Sequence, residues 1–372
     1  MTFSGSETFK AQYDRIQVIR CDPSQRKPVI EDDKLGFGKH FTSHMFVVRH
    51  VNGEWQEPKI IPYGPLEMSP SAKVLHYGQS CFEGMKAYPH KDGQAVSLFR
   101  PYENAARFNL SASRLTMPEV DEDLFVAACQ KLIEVDAMYM PKSAGTAMYI
   151  RPTMMGESLN DALGLSSSAE FTFFIILSPV GPYFAAGFKP VKILVEPHYV
   201  RAAPGGTGDR KVAGNYASSL LAAKIAAKKG YQQVLWLDAI HHKYLEEVGA
   251  MNLFVVIGDT IITAPLKGSI LPGITRKSVI DLARQLGYTV EERDVSIDEV
   301  VEAHKEGNLN EIFGTGTAAS IAPVGQLGWD DKDYVVNEFK VGPITQQLYD
   351  TLVQLQCGDI VDENKWRFTF NV

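Results

Sequence analysis

Cysteine is scarce in this 372-residue sequence. Cys21, Cys81, Cys129 and Cys357 stand far apart, and no two have CxxC spacing. Neither a disulfide framework nor a zinc site is expected, and a reducing, cytoplasmic setting fits. Long apolar runs are missing too. No stretch approaches the roughly 20 residues that a membrane span needs. The opening MTFSGSETFKAQYDRIQVIR has no apolar signal-peptide core and is too acidic for a transit peptide. Charge of one sign is not concentrated either. The net −7 is spread without long like-charge runs, which gives no sign of nucleic acid or an anionic membrane as main partner. Internal repeats and low-complexity segments are absent. What remains is the composition of a soluble globular protein, 45% hydrophobic and 22% charged, in a chain long enough for two domains.

Local patterns order the chain. Residues 41–51 read as a strand, and Asn52-Gly53 is a strong hairpin signal. A strand over 95–99 leads to Arg100-Pro101, which opens a helix carrying Arg107. Leu124, Phe125, Ala128, Leu132, Val135 and Met138 recur at helical spacing and predict a helix over 121–139. Strands follow over 146–153 and 171–178. The Pro- and Gly-rich PVGPYFAAGFKP, residues 179–190, reads as a linker between a domain over 1–178 and another over 191–372. The second half alternates more regularly. Strands are expected over 191–196, 234–237, 250–257, 260–263, 288–295 and 311–313. Helices are expected over 217–229, ended by Gly230, then 274–286, then 297–304 behind a Ser296/Glu299 capping box, and from Pro343 through 355.

The chain centres on GGTGDRKVAGNY, residues 205–216. Glycines let a ligand approach the backbone. A partly desolvated lysine there, Lys211, can act as a nucleophile toward an aldehyde. An isolated GDRK reads first as a solvated surface pair, and only the company this stretch keeps overturns that reading. Gly273-Ile274-Thr275 opens a helix and Gly314-Thr315-Gly316-Thr317-Ala318-Ala319 makes a tight turn. Both suit an anion, though each alone is also an ordinary helix start or turn. No Ser or Thr follows Lys211, so the loop is not a Walker A motif. Glu246-Glu247 precedes an apolar run, and only one of two adjacent strand residues can face a given site. A carboxylate opposite a pyridine nitrogen keeps that nitrogen protonated. Lysine, carboxylate, the Arg107 cation and two anion-binding turns together describe a pyridoxal phosphate site. No metal constellation competes. His40, His44, His50, His76 and His90 are scattered, and His241-His242 falls in a turn.

From about Gly36 onward the sequence resembles the branched-chain amino-acid aminotransferases, fold-type IV pyridoxal phosphate enzymes of α+β class with a small α+β domain and a larger β-rich one. The motifs are FGKHFTSHMF, LHYGQSCFEGMKAY, LFRPYENAARF, MYIRPT, KVAGNY, QVLWLD, EEVGAMNLF, LPGITRKS and FGTGTAA, in that order. The resemblance implies Lys211 as the Schiff-base lysine and proton carrier. It implies Tyr216 on the cofactor's phenolic oxygen and Glu247 on its pyridine nitrogen. Arg107, the amides of Ile274 and Thr275, and Thr317 would bind the phosphate. The amides of Thr317 and Ala318 would receive the substrate carboxylate. Phe41, Tyr77, Phe82 and Tyr149 would wall the side-chain pocket, with Arg151 assisting the acidic co-substrate. The implied reaction is ping-pong transfer from L-leucine, L-isoleucine or L-valine to 2-oxoglutarate, by a homodimer. Tyrosines suit both an apolar and a carboxylate-bearing tail. Where vertebrate members carry a CxxC pair, Ala319 and Ala322 stand here, so no thiol switch is expected and a bacterial-type member is indicated. Ala250 replaces a threonine found in many relatives. Competing readings are a relative acting on D-amino acids or aminodeoxychorismate, a non-catalytic binding protein, and a nucleotide-binding protein. CFEGMKAY and MYIRPT speak against the first, the presence of Lys211 against the second, and the missing Walker pattern against the third.

Overall fold

The computed structural model describes residues 6–181 and 188–372. Residues 182–187, inside the expected linker, lie outside the described residues. The chain divides into two units. The first takes residues 1–185, 211–213 and 355–372, and the second takes 186–210 and 214–354. A single cut near 179–190 therefore does not describe the division: the chain returns to the first unit at Lys211 and again at its C-terminal end.

The first unit is built on a ten-stranded sheet. Its central strands, His44–Val51, Phe171–Val180, Ala147–Gly156, Met85–Pro89 and Ala95–Phe99, are antiparallel neighbours in that order. Arg367–Asn371 adds an antiparallel strand beside Ala95–Phe99. Helices Pro101–Arg114 and Glu122–Val135 pack on the sheet. Phe125 is 5.5 Å from Phe108 and stacks on Phe173 at 5.8 Å, all three fully buried. Such aromatic clusters carry much of a core's burial energy. Asp121 caps the second helix through Leu124 N–H at 2.9 Å. That helix stops at Val135, short of the expected 139. Asp136 turns inward instead, taking the His44 amide at 2.9 Å and the ring Nδ1 of His44 at 2.7 Å. A short 3₁₀ turn, Ala137–Tyr139, follows.

The second unit has a nine-stranded sheet. Six of its strands close into a ring: Leu245–Val248, Gln233–Leu237, Val191–Glu196, Ser320–Trp329, Leu309–Gly316 and Met251–Ile257, the last pairing back on the first. Closure leaves those strands no open edge. Phe254 and Phe313, paired across two of these strands and fully buried, stack at 5.1 Å. The helix expected over 217–229 begins only at Leu220 and runs to Lys228, and a separate short helix, Ala213–Ala217, precedes it without continuing into it. Ser218 and Ser219 separate the two, because their hydroxyls bond the carbonyls of Asn215 and Tyr216. The strand expected over 288–295 is only Thr289–Glu292. The capping box is half formed. Ser296 Oγ accepts from Glu299 N–H at 3.0 Å, but the Glu299 carboxylate goes to Arg293 at 2.7 Å.

Candidate active site

In the first unit, residues 211–213 are stitched to the strand Ser80–Phe82. Val212 bridges Cys81, the Lys211 carbonyl accepts from Phe82 N–H at 3.1 Å, and Lys211 N–H donates to Ser111 Oγ at 2.9 Å. The backbone of Lys211 is thus fixed at both ends, and its Nζ lies 4.9 Å from the Phe82 ring centre. Asn104, Arg107 and Ser111 recur at spacings of three and four on one buried face of their helix. Arg107 grips Glu83 with two hydrogen bonds, Nε to Oε1 at 2.7 Å and Nη2 to Oε2 at 2.9 Å, and Asn104 adds a third at 2.8 Å. Glu83 is fully buried. Burial works against its charge, yet Arg107, with Lys211 and Asn104, holds the carboxyl below its usual range. Nothing in the sequence patterns singled out Glu83, Asn104 or Ser111. The signal available was polar residues at helical spacing on an otherwise apolar face.

Phe82, Tyr149 and Arg151 form one group beside Lys211. The Arg151 guanidinium lies 4.8 Å from the Phe82 ring centre and 5.3 Å from that of Tyr149, and Nη2 donates to Tyr149 Oη at 3.1 Å. Gly84 makes room for that hydroxyl. A Cβ there would stand 2.2 Å from Tyr149 Oη. Phe41 instead stacks on Tyr63 at 5.4 Å, beneath Lys27. Tyr77 is half exposed and donates its hydroxyl to the Leu163 carbonyl.

In the second unit, Arg201 is the hub, and sequence reading passed over it. Its Nε pairs with Glu247 Oε2 at 2.7 Å, while Nη1 donates to the carbonyls of Ser269 at 2.9 Å and Gly208 at 3.2 Å. Gly208 sits so close that a Cβ would come within 2.2 Å of Ser269 O. Asn215 holds the rest of this loop, donating to the carbonyls of Thr207 and Arg210 at 2.7 and 2.8 Å. Tyr216 follows it, half-buried, on the helix Ala213–Ala217. Glu247 is buried, and its Oε1 accepts from Leu271 N–H at 2.8 Å. Leu271 O in turn accepts from Asn252 Nδ2 at 2.9 Å. Asn252 pairs across the sheet with both Glu247 and Thr315. Ile274 and Thr275 open the helix Ile274–Gln285, whose N-cap, Gly273, supplies no side-chain cap to the first amides. Thr317 and Ala318 form the turn between Leu309–Gly316 and Ser320–Trp329.

These residues fit pyridoxal phosphate. A buried carboxylate already balanced by Arg201 is the acceptor a protonated pyridine nitrogen needs. The uncapped helix start suits a phosphate. Thr315 Oγ1, buried with no partner among the described residues, is a further donor.

The other glutamate of the pair, Glu246, differs. Its Oε1 accepts from Ser269 Oγ, and its buried Oε2 has no partner among the described residues. Burial, with Glu247 adding to it, pushes its carboxyl up to about 7 against the opposing pull of Ser269 and Arg201. Between the unfolded value of 4.5 and about 7 the folded protein keeps a proton that the unfolded chain has released. Wild-type stability therefore falls as pH rises through that window. Glu246→Gln removes the effect. The variant is expected to gain up to about 3 kcal/mol on wild type between pH 5 and 8, read from melting curves at both pH values. An equal gap at both would show Glu246 to be ionised throughout.

Comparison with known proteins places this architecture. The family model described as amino-transferase class IV matches residues 80–327. The chain is 49% identical over 352 residues to branched-chain-amino-acid aminotransferase 2 of Bacillus subtilis (strain 168), covering 94% of this chain and 96% of that one. It is 49% identical over 354 residues to a probable branched-chain-amino-acid aminotransferase of Staphylococcus aureus (strain N315), covering 95% and 97%. Among solved structures, the Escherichia coli branched-chain amino acid aminotransferase aligns with a TM-score of 0.72 at 28% identity, covering 87% of this chain and 98% of that one. The T.th. branched-chain amino acid aminotransferase complexed with N-(5'-phosphopyridoxyl)-L-glutamate aligns at 0.69 with 26% identity, covering 87% and 97%.

Proposed function

Because this chain belongs to the branched-chain amino-acid aminotransferases of class IV, which are pyridoxal phosphate-dependent transaminases, we propose that it moves the amino group of L-leucine, L-isoleucine or L-valine to 2-oxoglutarate, giving the 2-oxo acid and L-glutamate. The observation that carries the substrate reading is the Phe82–Tyr149–Arg151 group. It offers an apolar ring face to a branched side chain and a guanidinium beside a phenol to a tail carboxylate.

Bound pyridoxal phosphate supplies an aldehyde that captures amines and a ring that withdraws electrons from the substrate's α-carbon. Lys211 is the residue that would hold the cofactor, and its amine would carry the proton to and from the substrate's α-carbon. Glu247 would accept a hydrogen bond from the protonated pyridine nitrogen, and Tyr216 would donate one to the phenolic oxygen. Arg107, the Ile274 and Thr275 amides and Thr317 bind the phosphate. The amides of Thr317 and Ala318 take the substrate's α-carboxylate. Phe41, Tyr77, Phe82 and Tyr149 wall the side chain, and Arg151 orients the 2-oxoglutarate tail. Lys211 works between two fixed backbone bonds, so only its side chain has to move during the reaction. We read the protein as a cytoplasmic homodimer. Among the described residues, no helix is long and apolar enough to cross a membrane.

The test is spectroscopic. L-Leucine is expected to bleach the visible band of the holoenzyme, and 2-oxoglutarate to restore it. A band that ignores L-leucine but responds to D-alanine would move the substrate class to D-amino acids.

A further inference from the structure

The turn over residues 269–271 is gripped by both members of the glutamate pair. Ser269 Oγ donates to Glu246, and Leu271 N–H donates to Glu247 at 2.8 Å. The same turn offers the Ser269 carbonyl to Arg201 at 2.9 Å, and Arg201 pairs with Glu247 at 2.7 Å. The contacts close a circuit: Glu246, Ser269, Arg201, Glu247, Leu271 and back along the turn. Ser269 and Glu246 are buried, so neither bond is exchanged with water. A carboxylate that must meet a ring nitrogen squarely depends on such supports, because a small displacement weakens a charge-assisted hydrogen bond steeply.

We propose that Ser269 and Glu246 are positioning residues, a clamp on the 269–271 turn that sets where Glu247 and Arg201 stand toward the cofactor. The inference rests on the assignment of Glu247 to the pyridine nitrogen. Glu246 needs only to accept from Ser269, so its charge is not the operative feature. Its buried surroundings fit that division: Glu247 and Asp238 press it toward the neutral form, while Arg201 and the Ser269 hydroxyl draw it toward the charged one. The Ser269 hydroxyl is one of two ties between the turn and the strand Leu245–Val248, the other being Leu271 N–H on Glu247.

The experiment uses the full-length protein, stripped of cofactor and then titrated with pyridoxal phosphate, alongside a pH titration of the bound cofactor's visible band. Neither readout involves substrate, so failure of the branched-chain substrate reading would leave them untouched. Ser269→Ala is expected to weaken cofactor binding by about tenfold, the weight of one buried hydrogen bond, and to shift the pH midpoint of the band. Glu246→Gln keeps an acceptor for Ser269 and is expected to bind within about twofold of wild type. A Ser269→Ala protein that melts lower yet keeps the wild-type affinity and midpoint would reduce Ser269 to a structural role and overturn the proposal. So would a tenfold loss in Glu246→Gln, which would mean that the charge rather than the hydrogen bond matters. If Ser269→Ala does not fold, Glu246→Leu, which deletes the acceptor and leaves the serine, is expected to give the same loss and midpoint shift. Wild-type values there would equally overturn it.

Discussion

Lys211→Ala is expected to lose nearly all turnover while folding as wild type does. Removing a positioned proton carrier alone costs about 10²–10⁴-fold, and the covalent attachment point goes with it. What keeps the result interpretable is that two of the bonds fixing residue 211 come from its backbone. The amide donates to Ser111 and the carbonyl accepts from Phe82, and alanine retains both. Loss of the side chain removes one positive charge near Glu83, whose ionisation rests chiefly on Arg107, so a melting temperature within a few degrees of wild type is expected. Activity, melting temperature and the visible band measured on one preparation decide the matter. A variant that is active and yellow would refute the assignment of Lys211.

Glu247→Gln is expected to keep the cofactor and slow the proton transfers by roughly 10- to 100-fold, the worth of one charge-assisted hydrogen bond. The amide's oxygen can still accept from Leu271, but the variant leaves the Arg201 guanidinium buried without its carboxylate. Breaking such a pair from one side costs about 3–5 kcal/mol, so a lower melting temperature should accompany the slower chemistry. Rapid mixing with L-leucine separates the two effects, since it follows band loss in folded, loaded protein only. An undiminished rate there would show that some other group holds the pyridine proton.

What the sequence made legible was local. The Asn52-Gly53 hairpin, the helix opened by Pro101 and the Asp121-capped helix announce themselves through turn residues and periodicity, and they formed. The strand Ser320–Trp329 did not announce itself. Pro323, Gly325 and Gly328 break any strand reading of SIAPVGQLGW, yet it lies almost wholly buried between Val191–Glu196 and Leu309–Gly316. Gly325 and Gly328 leave room there for the rings of Phe339 and Tyr231. Ring closure was equally hidden, since it needs Leu245–Val248 to pair on both sides. Among the candidate site residues, Lys211 was readable from its glycine-rich loop and the glutamate pair from the apolar run behind it, while the choice of Glu247 over Glu246 came only with the family resemblance. Glu83 and Arg201 were not readable. Each matters through a partner far away in sequence, and only folding reveals which buried carboxylate meets which guanidinium.

The strand Arg367–Asn371 has a bearing on how the protein is made. It forms the edge of the first sheet beside Ala95–Phe99, and the Trp366 carbonyl takes the amide of Arg100, where the Arg107 helix begins. On the ribosome residues 6–181 emerge before the second unit, but the unit they belong to cannot finish its sheet until residues 367–371 have emerged as well. The second unit, spanning 186–210 and 214–354, has all of its own chain earlier. Synthesis and completion therefore run in opposite orders. Such long-range strand pairing is slow and leaves an edge open in the meantime. Nascent chains lacking residues 367–371 are the ones expected to need a chaperone.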